Sequence, residues 1–544
     1  MTKGMVCAPQ PEAVEAGVLA LIEGGNAVDA AIACALVQTV VDPQMCGIAG
    51  FGSMHLFLPQ IHNAHLFIDF HGRAPQSVTE SMWAEEIVAE TEDGFGFILK
   101  DHINDIGYQS ITSPGTLMAF AEAMERYGKL SLTQVLDPAI EYCETGFVVR
   151  PHVSSYWNLV ESAGRLAHSE RLSRYSATRK IYLKSDGSLY KPGERLINKD
   201  MGKTYRCIAS DGVDSFYKGE LARAIDADMK ANDALLAYDD LANYQTEQHT
   251  PLWGKYRGYR VATNQLPGGG AMVLEMLNIL EQFDLRALGH NTPSYIATVA
   301  EAMKIATVDK DEHMGDPRFV EVPLDELLSS DYATKQSNKI KRGEKTHVPR
   351  YQHGADNKDT THVCTVDEYG NCVSMTHSLG NPSGVVSEGL GFMYNGCMNV
   401  FDPRPGRVDS IAPGKSRFTA MSPTMVFNGD KPYLIIGAPG GTFITMGVLQ
   451  GILNVIDFDM DAQLAVSAPR FCVTSDVIDL TNRIPRHVET ELNAIGYPTR
   501  RSHLSFGFAG VHAIRINDSG WDGGADPGLD GMALATPEGY RADS

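Results

Sequence analysis

Between Ala13 and Val41 apolar residues run almost unbroken, interrupted at Glu23-Gly24-Gly25-Asn26 and at Asp29. The break predicts two helices, with Gly24-Gly25 stopping the first and Asn26 or Asp29 capping the second. It does not read as a membrane span. A strand pair follows at Met54 to Leu58 and His65 to Phe70. Ser113-Pro114-Gly115 then opens an amphipathic helix with Leu117, Phe120, Ala121 and Met124 at helical spacing. The middle of the chain is helical and polar, with turns at Lys218-Gly219 and Pro267 to Gly270. From Gly343 to Asp359 the pattern is polar and aperiodic, which predicts an exposed, cleavable loop.

At Thr360 the period changes to two. THVCTV alternates, Asp367 to Asn371 forms a turn, and CVSMTHSL alternates again, which predicts a hairpin. A second hairpin spans Pro423 to Phe427 and Tyr433 to Gly437 around Asn428-Gly429-Asp430. Leu434 to Ile436 is apolar on both faces and reads as a central strand. Pro439-Gly440-Gly441 leads into Thr442 to Ile456, nearly all apolar and therefore a buried helix.

Composition narrows the function classes. A chain of 544 residues exceeds one ordinary core, so two domains or one large multilayer unit is expected. The net charge of −21 argues against nucleic acid, which needs a basic face. Nine cysteines without a CxxC pair suggest reduced thiols in a cytoplasmic protein. Cys364 and Cys372 flank a turn and read either as a facing pair or as two core thiols. No signal-type segment or membrane anchor is evident, so a cytoplasmic location and no membrane partner are expected.

Two places carry candidate chemistry. Thr360 starts a strand just after the polar loop. A threonine hydroxyl needs a base beside it, and an α-amino group freed by cleavage before Thr360 would be that base, with a pKa of about 7.7–8.0. The same spacing also describes any β-branched residue that begins a strand. Pro439-Gly440-Gly441 joins a buried strand to a buried helix. Glycines there allow close approach, and the helix start aims N–H groups at an oxyanion. A plain tight turn fits as well, and no GxxxxGK[ST] or GxGxxG accompanies it to suggest a phosphate cradle. His290, His313 and His362 lack metal-ligand spacing. Asp309, Asp311 and Asp316 read as a solvated acidic stretch rather than a calcium loop. There is no GxSxG. No cofactor and no metal are expected.

Several blocks resemble the γ-glutamyltransferase (glutathione hydrolase) family of N-terminal-nucleophile hydrolases. They are EGGNAVDAAIACALVQTVVDPQMCGIAGFG from Glu23, SPGTLMAFAEAMERYGKLSLTQVLDPAIEYCETGF from Ser113, FYKGELARAI from Phe216 and EAMKIATVDKDEHMGDPRF from Glu301. DTTHVCTVDEYGNCVSMTHSL from Asp359 is similar to the family's nucleophile block, and MSPTMVF…IGAPGG, Met421 to Gly441, to its oxyanion block. The resemblance covers nearly the whole chain. It implies an α/β (α+β) four-layer αββα sandwich and autocatalytic cleavage between Asp359 and Thr360. Residues 1–359 would form a large subunit and 360–544 a small one, together one unit. It further implies Thr360 as nucleophile, Gly440 and Gly441 as the oxyanion hole, Ser378 as the supporting hydroxyl and Thr361 as a neighbouring partner. The implied partners are a small-molecule amide and the two subunits of one precursor, with room for a homo-oligomer of processed heterodimers.

The departures from the family pattern lie on the substrate side. The Arg that follows Asp-Phe in the family is His71 here, with Arg73 two residues later. The Asn two residues beyond the supporting hydroxyl is Gly380, with Asn381 next. The Gln and Asp that hold an α-amino group correspond to Cys397 and Val400, and a Ser-Ser pair to Thr419-Ala420. An α-ammonium opposite Val400 would be buried without a counter-charge, unless Asp402 or Glu388 supplies a shifted carboxylate. Asn399 to Ser422 is also shorter than in family members with a lid loop. The expectation is therefore a self-processing amidohydrolase with water as acceptor and a substrate that need not be γ-glutamyl. A genuine γ-glutamyltransferase with rearranged contacts and an unprocessed, non-catalytic homologue are the alternatives.

Overall fold

The computed structural model describes residues 3–91, 94, 96–160, 164–349, 360–518 and 520–537. Thirteen strands concern us: β1 (Gly4–Ala8), β2 (Phe51–Leu58), β3 (Ala64–Phe70), β4 (Glu247–His249), β5 (Leu252–Tyr256), β6 (Tyr259–Thr263), β7 (Thr361–Asp367), β8 (Cys372–Ser378), β9 (Thr424–Asn428), β10 (Lys431–Gly437), β11 (His512–Asn517), β12 (Gly520–Ala525) and β13 (Met532–Ala535). They form two antiparallel sheets, ordered β13-β1-β7-β8-β2-β3-β4 and β12-β11-β10-β9-β6-β5.

Helices cover the outer faces. On the first sheet lie α1 (Pro11–Ile22) and α2 (Ala27–Val41), whose apolar residues share a core with Val363, Val373 and Met375. Next along the chain, α3 (Thr116–Tyr127) joins this layer, presenting Leu117, Phe120 and Met124 as expected, with Ala123 buried more deeply than Ala121. The second sheet is covered by α4 (Gly270–Leu280), α5 (Pro293–His313) and α6 (Ile444–Ile456), which contribute Val273, Val299 and Ile452 to a separate core. Between the sheets, Cys7, Cys364, Val366, Met425, Phe427, Ile435 and Ile514 interdigitate. This is the four-layer αββα sandwich.

Local chemistry explains the frame. Asn26 caps α2 by accepting from the Val28 and Asp29 N–H groups, and the Asp29 carboxylate closes the capping box on the Asn26 N–H at 2.7 Å. β10 pairs with strands on both sides, which accounts for its apolar faces. β1 was not legible beforehand: five buried residues, GMVCA, carry no alternation because both faces are covered. The hairpin register places Cys372 opposite Val366 and Cys364 opposite Ser374, so the two thiols do not face each other, and none of the nine cysteines is in a disulfide.

The acidic stretch differs from its reading. Asp309 and Asp316 are buried, not solvated. Asp309 accepts from the Tyr332 hydroxyl, and Asp316 pairs with Arg318 at 2.6 Å and accepts from the Ser416 N–H at 2.9 Å. Partners on distant elements, invisible in a local pattern, made burial affordable.

Both sheets draw strands from either side of position 360, so neither portion of the chain holds a complete sheet. Two domains divided there are excluded, and one multilayer unit remains. Of the loop predicted from Gly343 to Asp359, the described part to Pro349 has no regular structure and is mostly exposed. The rest, including Asp359, lies outside the described residues. Among the described residues no helix is long and apolar enough to cross a membrane.

Candidate active site

The period of β7 sorts its side chains. Thr361, Val363 and Thr365 face the helices, where the Thr365 hydroxyl donates to the Ala27 carbonyl at 2.7 Å. His362, Cys364 and Val366 face the second sheet. By the same alternation Thr360 falls on the inter-sheet side. The register pairs Thr361 with His377, and one further step brings Thr360 opposite Ser378. The Thr360 Oγ1 donates to Ser378 Oγ at 3.0 Å, and Ser378 Oγ accepts from the Gly380 N–H at 2.8 Å. Ser378 thus ties the Thr360 hydroxyl to the turn after β8.

Thr360 has a φ of 110°, a region costly for a β-branched residue. It is nearly buried and lines a cleft. Gly441 lines the same cleft, at the single turn of 3-10 helix, Gly441–Phe443, that leads into α6. Gly440 just before it has a φ of 138°, and a Cβ there would lie 2.7 Å from Ala509 Cα. Only glycine satisfies both demands. The arrangement brings the Thr360 hydroxyl and a helix start to one cleft.

Thr361 sits elsewhere. Its hydroxyl accepts from Gln38 Nε2 at 3.0 Å and donates to Gln10 Oε1 at 3.3 Å. Gln38 Nε2 also donates to Gln10 Oε1 at 2.7 Å, and Gln10 Nε2 donates to Asp42 Oδ2 at 2.8 Å. His377 Nε2 lies 2.9 Å from Gln38 Oε1, and burial pushes the His377 imidazole down to about 3, which keeps it neutral. This network lies between β7, β8 and α2, on the side of β7 away from the cleft.

The other sequence-selected residues divide. Gly380, Asn381, Val400, Thr419 and Ala420 line the Thr360 cleft. His71, Arg73 and Cys397 do not line it. His71 is buried 3.8 Å from Asp69, and burial lowers its imidazole against the pull of that carboxylate. Arg73 pairs with Glu247 at 2.8 Å and stacks on Tyr244. Cys397 Sγ donates to the Leu379 carbonyl at 3.6 Å. Neither candidate for a shifted carboxylate reaches the cleft. Glu388 pairs with Lys180 on the surface, and Asp402 is held by Arg404 at 2.7 Å.

The family model for gamma-glutamyltranspeptidase matches residues 13–536. The chain belongs to this family. It is 36% identical to an acylase ACY 1 proenzyme of Pseudomonas sp. (strain SE83), over 95% of this chain and 91% of that one. It is 32% identical to the glutathione hydrolase proenzyme of Bacillus subtilis (strain 168), over 98% and 91%. Among solved structures it is similar to cephalosporin acylase from Bacillus halodurans, with a TM-score of 0.87 and 30% identity over 98% of this chain and 96% of that one. Family membership makes hydrolase or transferase chemistry the activity class.

Among the cleft residues not selected from the sequence are Phe51, Arg165, Asn399 and Arg417. Arg417 lies in an irregular segment, with no periodicity to mark it. Phe51 begins β2 and reads as an ordinary core aromatic. Asn399 was in view only as the start of a shortened segment.

Proposed function

We propose that this protein is a self-processing amidohydrolase in which Thr360 is both the residue that cuts the precursor and the nucleophile of the mature enzyme. The observation that carries the reading is the Thr360 Oγ1 to Ser378 Oγ hydrogen bond in a cleft that also holds Gly441. The backbone of Thr360 supports the processing step. Its φ of 110° is strained, and cleavage before Thr360 abolishes that dihedral, so the strain favours the cut state. The relatives named proenzymes support the same step. The resulting portions, 1–359 and 360–544, stay together because each supplies strands to both sheets.

In the mature enzyme Thr360 Oγ attacks the amide carbon, and the freed α-amine takes its proton. The N–H groups at Gly440 and Gly441 hold the oxyanion. The C–N bond breaks, and the amine returns the proton to the leaving nitrogen. Water, activated by the same amine, then opens the ester. Ser378 positions the hydroxyl, and Thr361 anchors the strand from behind. The substrate is a small amide or acylated compound, in keeping with relatives named acylase and glutathione hydrolase. Nine cysteines outside any disulfide support a reducing, cytoplasmic setting.

A denaturing gel with an amide-substrate screen tests this. Purified protein should resolve into two bands that sum to 59.2 kDa. Thr360→Ala should remain one band and lose amide hydrolysis by about 10⁴-fold or more. A single full-length band for the unaltered chain, the same in Thr360→Ala, would sink the reading.

A further inference from the structure

The glycine turn before α6 is the continuation of a strand pair. β10 runs against β11 as far as Gly437 opposite His512. Beyond them the ladder makes one more bond, from the Gly510 N–H to the Pro439 carbonyl at 2.9 Å. Pro439 has no N–H to return. One step on, Gly440 lies against Ala509, close enough that a Cβ on Gly440 would meet the Ala509 backbone. The next step of the same register sets Gly441 opposite Phe508. Bonded pairs alternate along an antiparallel ladder, so this is where the Gly441 N–H should be taken by the Phe508 carbonyl.

That bond is not made. Among the described residues the Gly441 N–H donates to no backbone carbonyl. Phe508 has a φ of 66°, in the left-handed region that a bulky residue rarely enters. The chain leaves the ladder at this residue. Its ring packs edge-on to that of Phe443, with centroids 5.6 Å apart, and both are buried. Phe443 belongs to the 3-10 turn that starts at Gly441, and it lines the cleft. Burial of the paired rings offsets the backbone strain at Phe508.

We propose, resting on the reading of Gly441 as an oxyanion donor, that Phe508 is a positioning residue. Its left-handed backbone breaks the β10–β11 ladder one residue before the ladder would consume the Gly441 N–H. An N–H spent on a neighbouring carbonyl must surrender that bond before it can hold a tetrahedral oxyanion. An uncommitted one is preorganised for the charge as it develops. Phe508 itself forms no bond to the substrate. It acts through the backbone conformation opposite Gly441.

The test separates backbone from side chain in processed protein. Glycine and asparagine accept a φ near that of Phe508, whereas valine resists it. The readouts are hydrogen exchange at the Gly441 amide, and kcat and KM for the fastest p-nitroanilide of an acyl series that includes γ-glutamyl and glutaryl. Phe508→Val should restore the ladder, slow Gly441 exchange by about 10-fold or more and lower kcat by about 10- to 100-fold, with KM within about twofold. Phe508→Asn and Phe508→Gly lose the ring but should keep kcat within about threefold. Phe508→Ala should fall between, and it carries the test if the valine variant does not fold. Equal losses of kcat in the asparagine, glycine and valine variants would assign the effect to the ring and overturn the proposal. So would fast Gly441 exchange together with an unaltered kcat in Phe508→Val. Exchange that follows the backbone series while kcat does not would instead remove Gly441 as the oxyanion donor. Absence of turnover across the whole acyl series would overturn the reading of Thr360.

Discussion

Thr360 and Thr361 are the same side chain one residue apart, yet the fold gives them unrelated surroundings. The Thr360 hydroxyl opens on a cleft and donates to a serine whose own hydroxyl is pinned by a backbone N–H. The Thr361 hydroxyl is sealed under α2, where two glutamines, an aspartate and a neutral histidine lock it in place. One opens on the cleft; the other belongs to a closed network in which every exchange of partners costs a buried hydrogen bond. The difference teaches that a strand's alternation can put reactivity on one face and rigidity on the other without changing the residue type.

Three substitutions probe that contrast. The largest effect is expected for Ser378→Ala, which frees the Thr360 hydroxyl and the Gly380 turn together. It should lower kcat by about 10- to 100-fold, or about 1.4–2.7 kcal/mol of transition-state stabilisation, with about 1 kcal/mol lost in urea titration from the unpaired Gly380 N–H. An unaltered kcat would break the comparison at its cleft side. Thr361→Val should act chiefly on stability. It leaves the Gln38 and Gln10 amides short of a partner and should cost about 1–2 kcal/mol in urea unfolding. The loss of kcat in the surviving folded enzyme should be smaller than for Ser378→Ala. A Thr361→Val enzyme that folds normally but is catalytically dead would erase the distinction between the faces.

The smallest effect concerns the far end of the helix-side network. Burial raises the Asp42 carboxyl from 3.8 to about 6, against the pull of Arg150 and the Gln10 hydrogen bond. A raised carboxyl keeps its proton in the folded state while the unfolded chain has already lost it. Stability therefore falls as pH rises from about 4 to about 6 and stays lower above that window. Asp42→Asn removes this titration and keeps an acceptor for Gln10. It should gain about 1 kcal/mol at pH 8 and flatten the stability profile between pH 4 and 6. A profile identical to that of the unaltered chain, followed by thermal unfolding, would show that Asp42 is not the group responsible.

The elements around Thr360 were legible because each obeys a local rule. Asn26 and Asp29 announce the cap of α2, DEYGN announces the turn between β7 and β8, and the apolar run after Gly441 announces a buried helix. Cleft residues such as Arg417 were not, because nothing in the residues flanking it fixes the direction of an irregular segment. His71 shows the converse: its place in a block pointed to the pocket, but the chain turns it beside Asp69 instead.

By itself, then, the sequence determined the two alternating hairpins, the glycine turn before a buried helix and the candidate hydroxyl at Thr360, since propensity, period and capping act over a few residues. Only the tertiary structure decided that Asp309 and Asp316 are buried, that Cys364 and Cys372 stay apart, and that Arg417 rather than His71 lines the cleft. Those outcomes depend on register and on partners a hundred or more residues away, such as the Ser416 N–H that holds Asp316. No local pattern records them, because the energy that fixes them comes from burial and pairing between distant segments.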